Sequence, residues 1–164
     1  MKRIWIQGIM TGSMQLVTWN IRGMNKLHKQ KELKLFVKEN KVSIIAVLEH
    51  KIKENMANKI VRKTLPGWKY EANYEYSNKW RIWLIWNPQL IECVILSKSE
   101  QYIQGRIKLR SRSLTFLFVA VYGLHTIQSR KSLWDDLRVL NAGVNEPMIC
   151  LGYYNTILSG DDRV

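Results

Sequence analysis

Four isolated polar residues stand where chemistry could be done. Asn20 follows the apolar-rich run Gln15 to Trp19, Glu49 follows Val42 to Leu48, Tyr122 ends Leu114 to Tyr122, and Asn155 lies four residues beyond a run ending at Leu151. A carboxylate is the oxygen anchor a hard cation such as Mg2+ takes, a carboxamide can donate and accept at once, and a phenol can donate to an anionic oxygen. Strand ends gathered on one rim would bring such groups into a cleft on a rigid scaffold, which suits metal and phosphate chemistry. Plainer roles exist for each. Asn20 before Ile21-Arg22-Gly23 fits a turn, Glu49 fits a solvated strand end, and Tyr122 fits a core ring with its hydroxyl at the surface. His50, beside Glu49, fits either a ligand or an exposed histidine, and the exposed role is the expectation.

The elements that must position these residues follow from periodicity. Gln15 to Trp19 reads as a strand leaving through the turn Arg22-Gly23-Met24-Asn25, and residues 26–40 read as a helix with Leu33, Phe36 and Val37 inward and Lys29, Lys31, Lys34 and Lys38 on its flanks. Val42 to Leu48 is a buried strand. Asn55 to Leu65 is a helix stopped by Pro66-Gly67. Strands are then expected over Trp68 to Tyr76, Trp80 to Trp86, Leu90 to Leu96, Tyr102 to Arg110 and Leu114 to Tyr122, with Ser111-Arg112-Ser113 as a hairpin loop. A helix over Ser129 to Leu140 and a strand over Met148 to Leu151 complete the order. Runs of strands between occasional helices point to a layered, mainly antiparallel α+β protein.

The chain of 164 residues carries 26 Lys and Arg against 13 Asp and Glu, a formal charge of +13. That excess favours a polyanionic partner, either nucleic acid or an anionic membrane surface. Hydrophobic residues make up 46% of the chain, with seven Trp, seven Tyr and three Phe, which excludes disorder. The longest stretch without charge, from Ser113 to about Gln128, is broken by polar residues and falls short of the ~20 apolar residues a bilayer needs. Cys93 and Cys150 form neither a disulfide framework nor a zinc pattern, so a reduced, intracellular setting is expected, nuclear if the chain acts on DNA. Residues 1–13 read as a leader without a secretory signal. Arg106, Lys108, Arg110 and Arg112 alternate with Ile107, Leu109 and Ser111, so in one strand all four cations would share a face at about 6.6–6.8 Å intervals. Such a face suits either phosphate contact or protection of a strand edge. Lys26, Lys29, Lys31 and Lys34 form a second cluster beside the Asn20 turn. Trp68, Trp83, Trp86 and Trp134 occupy periodic apolar positions and are expected in the core.

Taken in order, V-T-W-N-I-R-G (Val17 to Gly23), I-I-A-V-L-E (Ile44 to Glu49), R-I-W at Arg81, F-V-A-V-Y-G (Phe118 to Gly123) and G-Y-Y-N (Gly152 to Asn155) resemble the endonuclease/exonuclease/phosphatase, or DNase I-like, superfamily. More narrowly, the chain resembles the apurinic-type endonuclease domain of plant non-LTR (LINE-like) retrotransposon polyproteins, whose reverse transcriptase lies elsewhere in the polyprotein. L-S-G-D-D-R after Ile157 fits that pattern too. The resemblance implies a layered β-sandwich with flanking helices over residues 14–164, with 1–13 outside it. It implies divalent-metal-dependent phosphodiester hydrolysis with Mg2+ or Mn2+, DNA as partner, and no membrane or small-molecule cofactor. By matched position, Glu49 would ligate the metal, Asn20 would orient the metal shell or phosphate, Tyr122 would bond a phosphate oxygen, and Asn155 would hold the scissile group or water. Arg22, Arg106, Lys108, Arg110 and Arg112 are the nucleic-acid-binding candidates.

Two departures bear on activity. Tyr153 stands where the family has the Asp of G-D-F-N, and a phenol with a reference pKa of about 10 is a poor base at neutral pH. No Asp-His pair follows, so a C-terminal truncation is expected, with one sheet incomplete and the inner face of the other left wet. Trp80 also stands where a Gly is common. The expectation is a truncated, inactive remnant of a retroelement DNA endonuclease; a residual Mg2+-dependent nuclease and a non-catalytic nucleic-acid-binding module are the alternatives.

Overall fold

Unbroken apolar runs become central strands because both of their faces are covered. The computed structural model describes residues 5–11, 14–79 and 82–156. Strands β1 (Trp5–Thr11), β2 (Met14–Asn20), β3 (Val42–Leu48), β4 (Lys69–Ala72) and β5 (Ile82–Trp86) form a sheet in the order β1-β2-β3-β5-β4. Strands β6 (Ile91–Lys98), β7 (Tyr102–Leu109), β8 (Thr115–Tyr122) and β9 (Met148–Tyr153) form a second sheet in sequence order. Pairing is antiparallel except for β2 with β3 and β8 with β9.

The two sheets bury their inner faces on each other. Leu16, Ile44, Ala46, Leu48 and Leu84 meet Ile103, Ile107, Phe116, Phe118 and Ala120 in one cluster. On the outer face of the first sheet, Val17, Ile45, Val47 and Trp83 pack under helices α1 (Leu27–Glu39) and α2 (Glu54–Thr64), through Leu33, Val37, Ala57 and Val61. Helix α3 (Lys131–Asn141) covers part of the other outer face, with Leu133 against Val119 and Val121. This is the expected α+β sandwich with flanking helices. The expected wet inner face is not found among the described residues, where nine strands build both sheets and Phe118, Ile103 and Leu84 are wholly buried between them.

Other differences are local. The strand expected over Trp68 to Tyr76 is only Lys69–Ala72, because the Asn73 carboxamide bonds the carbonyls of Ser99 and Glu100 and the amide of Ile82, and its own carbonyl starts a turn to Tyr76 and Ser77. Trp134 is not core. It stacks on Tyr154 at 5.9 Å and stays partly exposed, whereas Trp83 and Trp86 are buried and Trp68 is half-buried. Trp5–Thr11, within the expected leader, hydrogen-bonds along β2 as an edge strand, from Trp5 opposite Asn20 to Thr11 opposite Met14. Trp80, Arg81 and the L-S-G-D-D-R segment lie outside the described residues. Among the described residues no helix is long and apolar enough to cross a membrane.

His50 corrects the expectation of an exposed histidine. It is fully buried, stacked on Trp83 at 4.1 Å between ring centroids with Tyr74 edge-on, and its Nδ1 accepts the amide of Ile52 at 3.2 Å. Burial pushes its pKa down to about 3, so the ring is neutral in the folded protein. The unfolded chain, titrating near ~6.5, takes up a proton that the folded chain refuses, so stability is full above that pH and falls as the pH drops. At about pH 5 the loss amounts to about 2 kcal/mol. Urea midpoints at neutral and acid pH should therefore separate for the native protein, and the separation should shrink in His50→Asn.

Candidate metal and phosphate site

Two parallel strand pairs end on the same rim. Asn20 is opposite Leu48 at the end of β2 and β3, and Tyr122 is opposite Tyr153 at the end of β8 and β9. Glu49, the residue after β3, takes a left-handed backbone (φ 52°), a conformation that costs on the order of 1–3 kcal/mol outside glycine and clusters at functional positions. Its Oε1 accepts the Tyr122 hydroxyl at 2.7 Å and the Asn20 Nδ2 at 3.3 Å. One carboxylate oxygen thus joins both sheets.

That contact also fixes the Asn20 amide. With its Nδ2 donating to Glu49, the amide turns its Oδ1 away from that bond. Asn20 is only 4% exposed, and Oδ1 has no partner among the described residues. A buried, unsatisfied carboxamide oxygen beside a carboxylate fits a hard divalent cation, which takes oxygen ligands. No cluster of three or more His, Cys, Asp or Glu exists among the described residues, so the donor set is small. It suits an ion such as Mg2+, which keeps several waters and borrows substrate phosphate oxygens.

Asn155 and Tyr153 frame the other side. Strand β9 runs two residues further than expected, leaving Asn155 close behind it with φ 54°. Its Nδ2 donates to the Gly123 carbonyl, so its observed partner is the turn after Tyr122 and not Glu49. Tyr153 packs against the inter-sheet core with its ring centroid 6.1 Å from that of Tyr122. An acidic side chain at this position would therefore project beside the Tyr122–Glu49 pair.

No family model matches this sequence, and no curated protein does. Solved structures do. An endonuclease/exonuclease/phosphatase family protein from Bacteroides thetaiotaomicron superposes with a TM-score of 0.66 at 14% identity, over 96% of this chain and 66% of its own. The endonuclease domain of TRAS1, a telomere-specific non-LTR retrotransposon, gives 0.66 at 12% identity, over 95% and 63%. TDP2 of D. rerio, complexed with a single-strand DNA product, gives 0.67 at 10% identity, over 87% and 60%. The fold is the DNase I-like sandwich. Against each of these three proteins, this chain spans less than two thirds of the other's length.

Within this DNase I-like sandwich, the cations expected to bind nucleic acid do not come together. Strand β7 ends at Leu109, and Arg110 and Arg112 lie in the hairpin that follows, so the four do not share one strand face. Arg106 makes a two-point ion pair with Glu146, and Arg110 Nε donates to the Pro88 carbonyl. Arg110 also lines a hollow with Met14 and Ser43, at the strand beginnings opposite the Asn20–Glu49 rim. Arg22 alone of the set lies on the rim.

Several residues on which the rim depends carried no sequence signal. Gln101 accepts the Tyr122 amide on its carbonyl and the Leu124 amide on Oε1, while buried Arg130 donates to the Leu124 and His125 carbonyls. Together they pin the turn that presents the Tyr122 hydroxyl. His125 is exposed and sits edge-on to the Tyr122 ring at 6.3 Å. These partners are brought in from 23 residues away in the case of Gln101, so local pattern could not reveal them.

Proposed function

We propose that this chain is an endonuclease-type domain of retroelement descent. It binds Mg2+ or Mn2+ through Glu49 and Asn20 and a DNA phosphate against Tyr122, and it hydrolyses slowly because Tyr153 replaces an acid. The reading rests on the shared Glu49 oxygen, with the unsatisfied Asn20 Oδ1 beside it. Likeness to the TRAS1 endonuclease domain and to TDP2 with its DNA product supports the substrate class.

When bound, the cation would neutralise charge developing on the phosphate. The protein groups do the rest. Asn20 orients the carboxylate, the Tyr122 hydroxyl is held where it can turn from Glu49 to a phosphate oxygen, and Asn155 keeps the Gly123 turn in place. Tyr153 puts a phenol where an acid would serve, and a phenol is a poor general base for water.

Two measurements test this. Mn2+ binding, followed by electron paramagnetic resonance, should be saturable in the native protein and lost in Glu49→Ala. Nicking of supercoiled plasmid in Mg2+ should be slow and absent in the same variant. Equal Mn2+ binding by both proteins would overturn the metal assignment. Binding with no nicking above the Glu49→Ala background would leave a nucleic-acid-binding module.

A further inference from the structure

The two loops that present Asn20 and Glu49 also present an uncompensated group of cations. Arg22 lies two residues after Asn20 and Lys51 two after Glu49; both are exposed and both have left-handed backbones, at φ 53° and 56°. The loops are fastened together by the Ile21 amide on the Leu48 carbonyl (3.2 Å) and the Met24 amide on the His50 carbonyl (2.7 Å). A Cβ placed on Gly23 would lie 3.9 Å from Lys51 Cδ, so the Lys51 stem runs alongside the Arg22 turn. Each loop ends in a helix whose N-cap is an exposed lysine, Lys26 for α1 and Lys53 for α2, without a side-chain cap.

That placement runs against local preference. Helix N-termini carry partial positive charge and favour Ser, Thr, Asp or Asn as caps, so a lysine there is unfavourable in the isolated protein. Helix α1 has no acidic residue in its first turn, and α2 has only Glu54. None of Arg22, Lys26, Lys51 or Lys53 makes an ion pair or side-chain hydrogen bond among the described residues, whereas Arg106, Lys29, Lys98 and Arg138 each do. Unpaired cations in left-handed turns, two helix N-termini without side-chain caps and the buried, unpartnered Asn20 Oδ1 all lie at the paired ends of β2 and β3 or in the loops that follow them.

We infer that Arg22, Lys26, Lys51 and Lys53 form the track for a nucleic-acid phosphodiester backbone, running from the Asn20–Glu49 rim over the β2–α1 and β3–α2 loops and leaving the β7 cations outside it. The inference rests on the rim being the phosphate site. It further specifies that the partner is an extended polyanion contacting several phosphates, not a small phosphate ester contacting one. The repeated charge spacing of a nucleic acid matches four separate cations, and contacts of this kind bind without reading sequence.

The test is binding of a fluorescein-labelled duplex by anisotropy across a salt series in EDTA, where neither cation binding nor hydrolysis contributes. Arg22 and Lys51 are changed to Asn, which tolerates their left-handed backbone, and Lys26 and Lys53 to Gln. The comparison protein carries Gln at 106, 108, 110 and 112. Both variants are compared with the native protein by thermal melting, and Arg22→Lys with Lys51→Arg serves as the charge-conserving control. Four phosphate contacts correspond to a salt slope of about −3.6, or roughly 10²-fold in affinity between about 50 and about 200 mM salt. The rim variant should flatten the slope by about that amount, the β7 variant should leave it close to native, and the charge-conserving protein should bind as native.

A rim variant that binds like the native protein, or a β7 variant that loses as much, would overturn the track. So would absence of duplex binding, including the case in which the native protein instead binds phosphatidylserine vesicles. Repeating the series in Glu49→Gln separates this inference from the proposed activity. Rim-dependent binding that survives there, with no nicking by the native protein, would sink the catalytic reading alone.

Discussion

Changing Tyr153 to Asp should raise Mg2+-dependent plasmid nicking by about 10²–10⁴-fold, the contribution typical of a positioned general base. Tyr153 already projects beside Tyr122, whose hydroxyl bonds Glu49 at 2.7 Å, so an acid there would join an assembled set. A phenol is a poor general base and is bulkier than a carboxylate, so the substitution changes two things at once. Tyr153→Asn separates these effects, since it opens the same space without supplying a base. If Asp and Asn accelerate nicking equally, space is the fault; if neither does, Glu49, Asn20 and Tyr122 are not by themselves a working site. The gain in Tyr153→Asp should vanish when Glu49→Ala is added, because the acid has no reaction to assist without the proposed metal anchor.

The largest loss of stability should come from Gly152→Ala. Gly152 lies where β9 passes β8, with φ 154°, and a Cβ there would overlap the backbone oxygen of Val121. The obstacle is main chain within a sheet, which cannot swing aside as a side chain would. Overpacking in a tight core costs about 1–3 kcal/mol, and a clash against the ladder itself belongs at or above the top of that range. The urea midpoint of Gly152→Ala should fall accordingly. Because Gly152 leads directly into Tyr153 and Asn155, the variant should also lose Mn2+ binding before it unfolds globally, through displacement of the Gly123 turn. A midpoint within error of the native value would mean that the two strands are not held this closely.

Central strands were readable from sequence with little error. Val42 to Leu48 is buried along its whole length, as an uninterrupted apolar run between two covered faces must be, and the helix expected over 26–40 is Leu27–Glu39. The four polar residues at strand ends were also readable, through their types and their order. The β7 cations were misplaced because alternation continues past the point where the chain turns. Residues 110–114 form the hairpin, and a period of two in sequence means one face only while the strand lasts. His50 was misread for another reason. Its ring partners Trp83 and Tyr74 come from elsewhere in the chain, so no local pattern marks it as buried.

Sequence by itself determined the chemical vocabulary of this protein: one carboxylate, two carboxamides and a phenol at or just beyond strand ends, and a charge of +13. Those are properties of residue type and of short-range periodicity. Tertiary structure decided which of them meet. A bond from Tyr122 to Glu49 spans 73 residues and two sheets, and the choice between the rim cations and the β7 cations depends on strand ends and ion pairs brought together by packing. Burial free energy is nearly indifferent to which polar group sits at the end of a strand, so composition and pattern set the layers, while the site follows from the register in which those layers close.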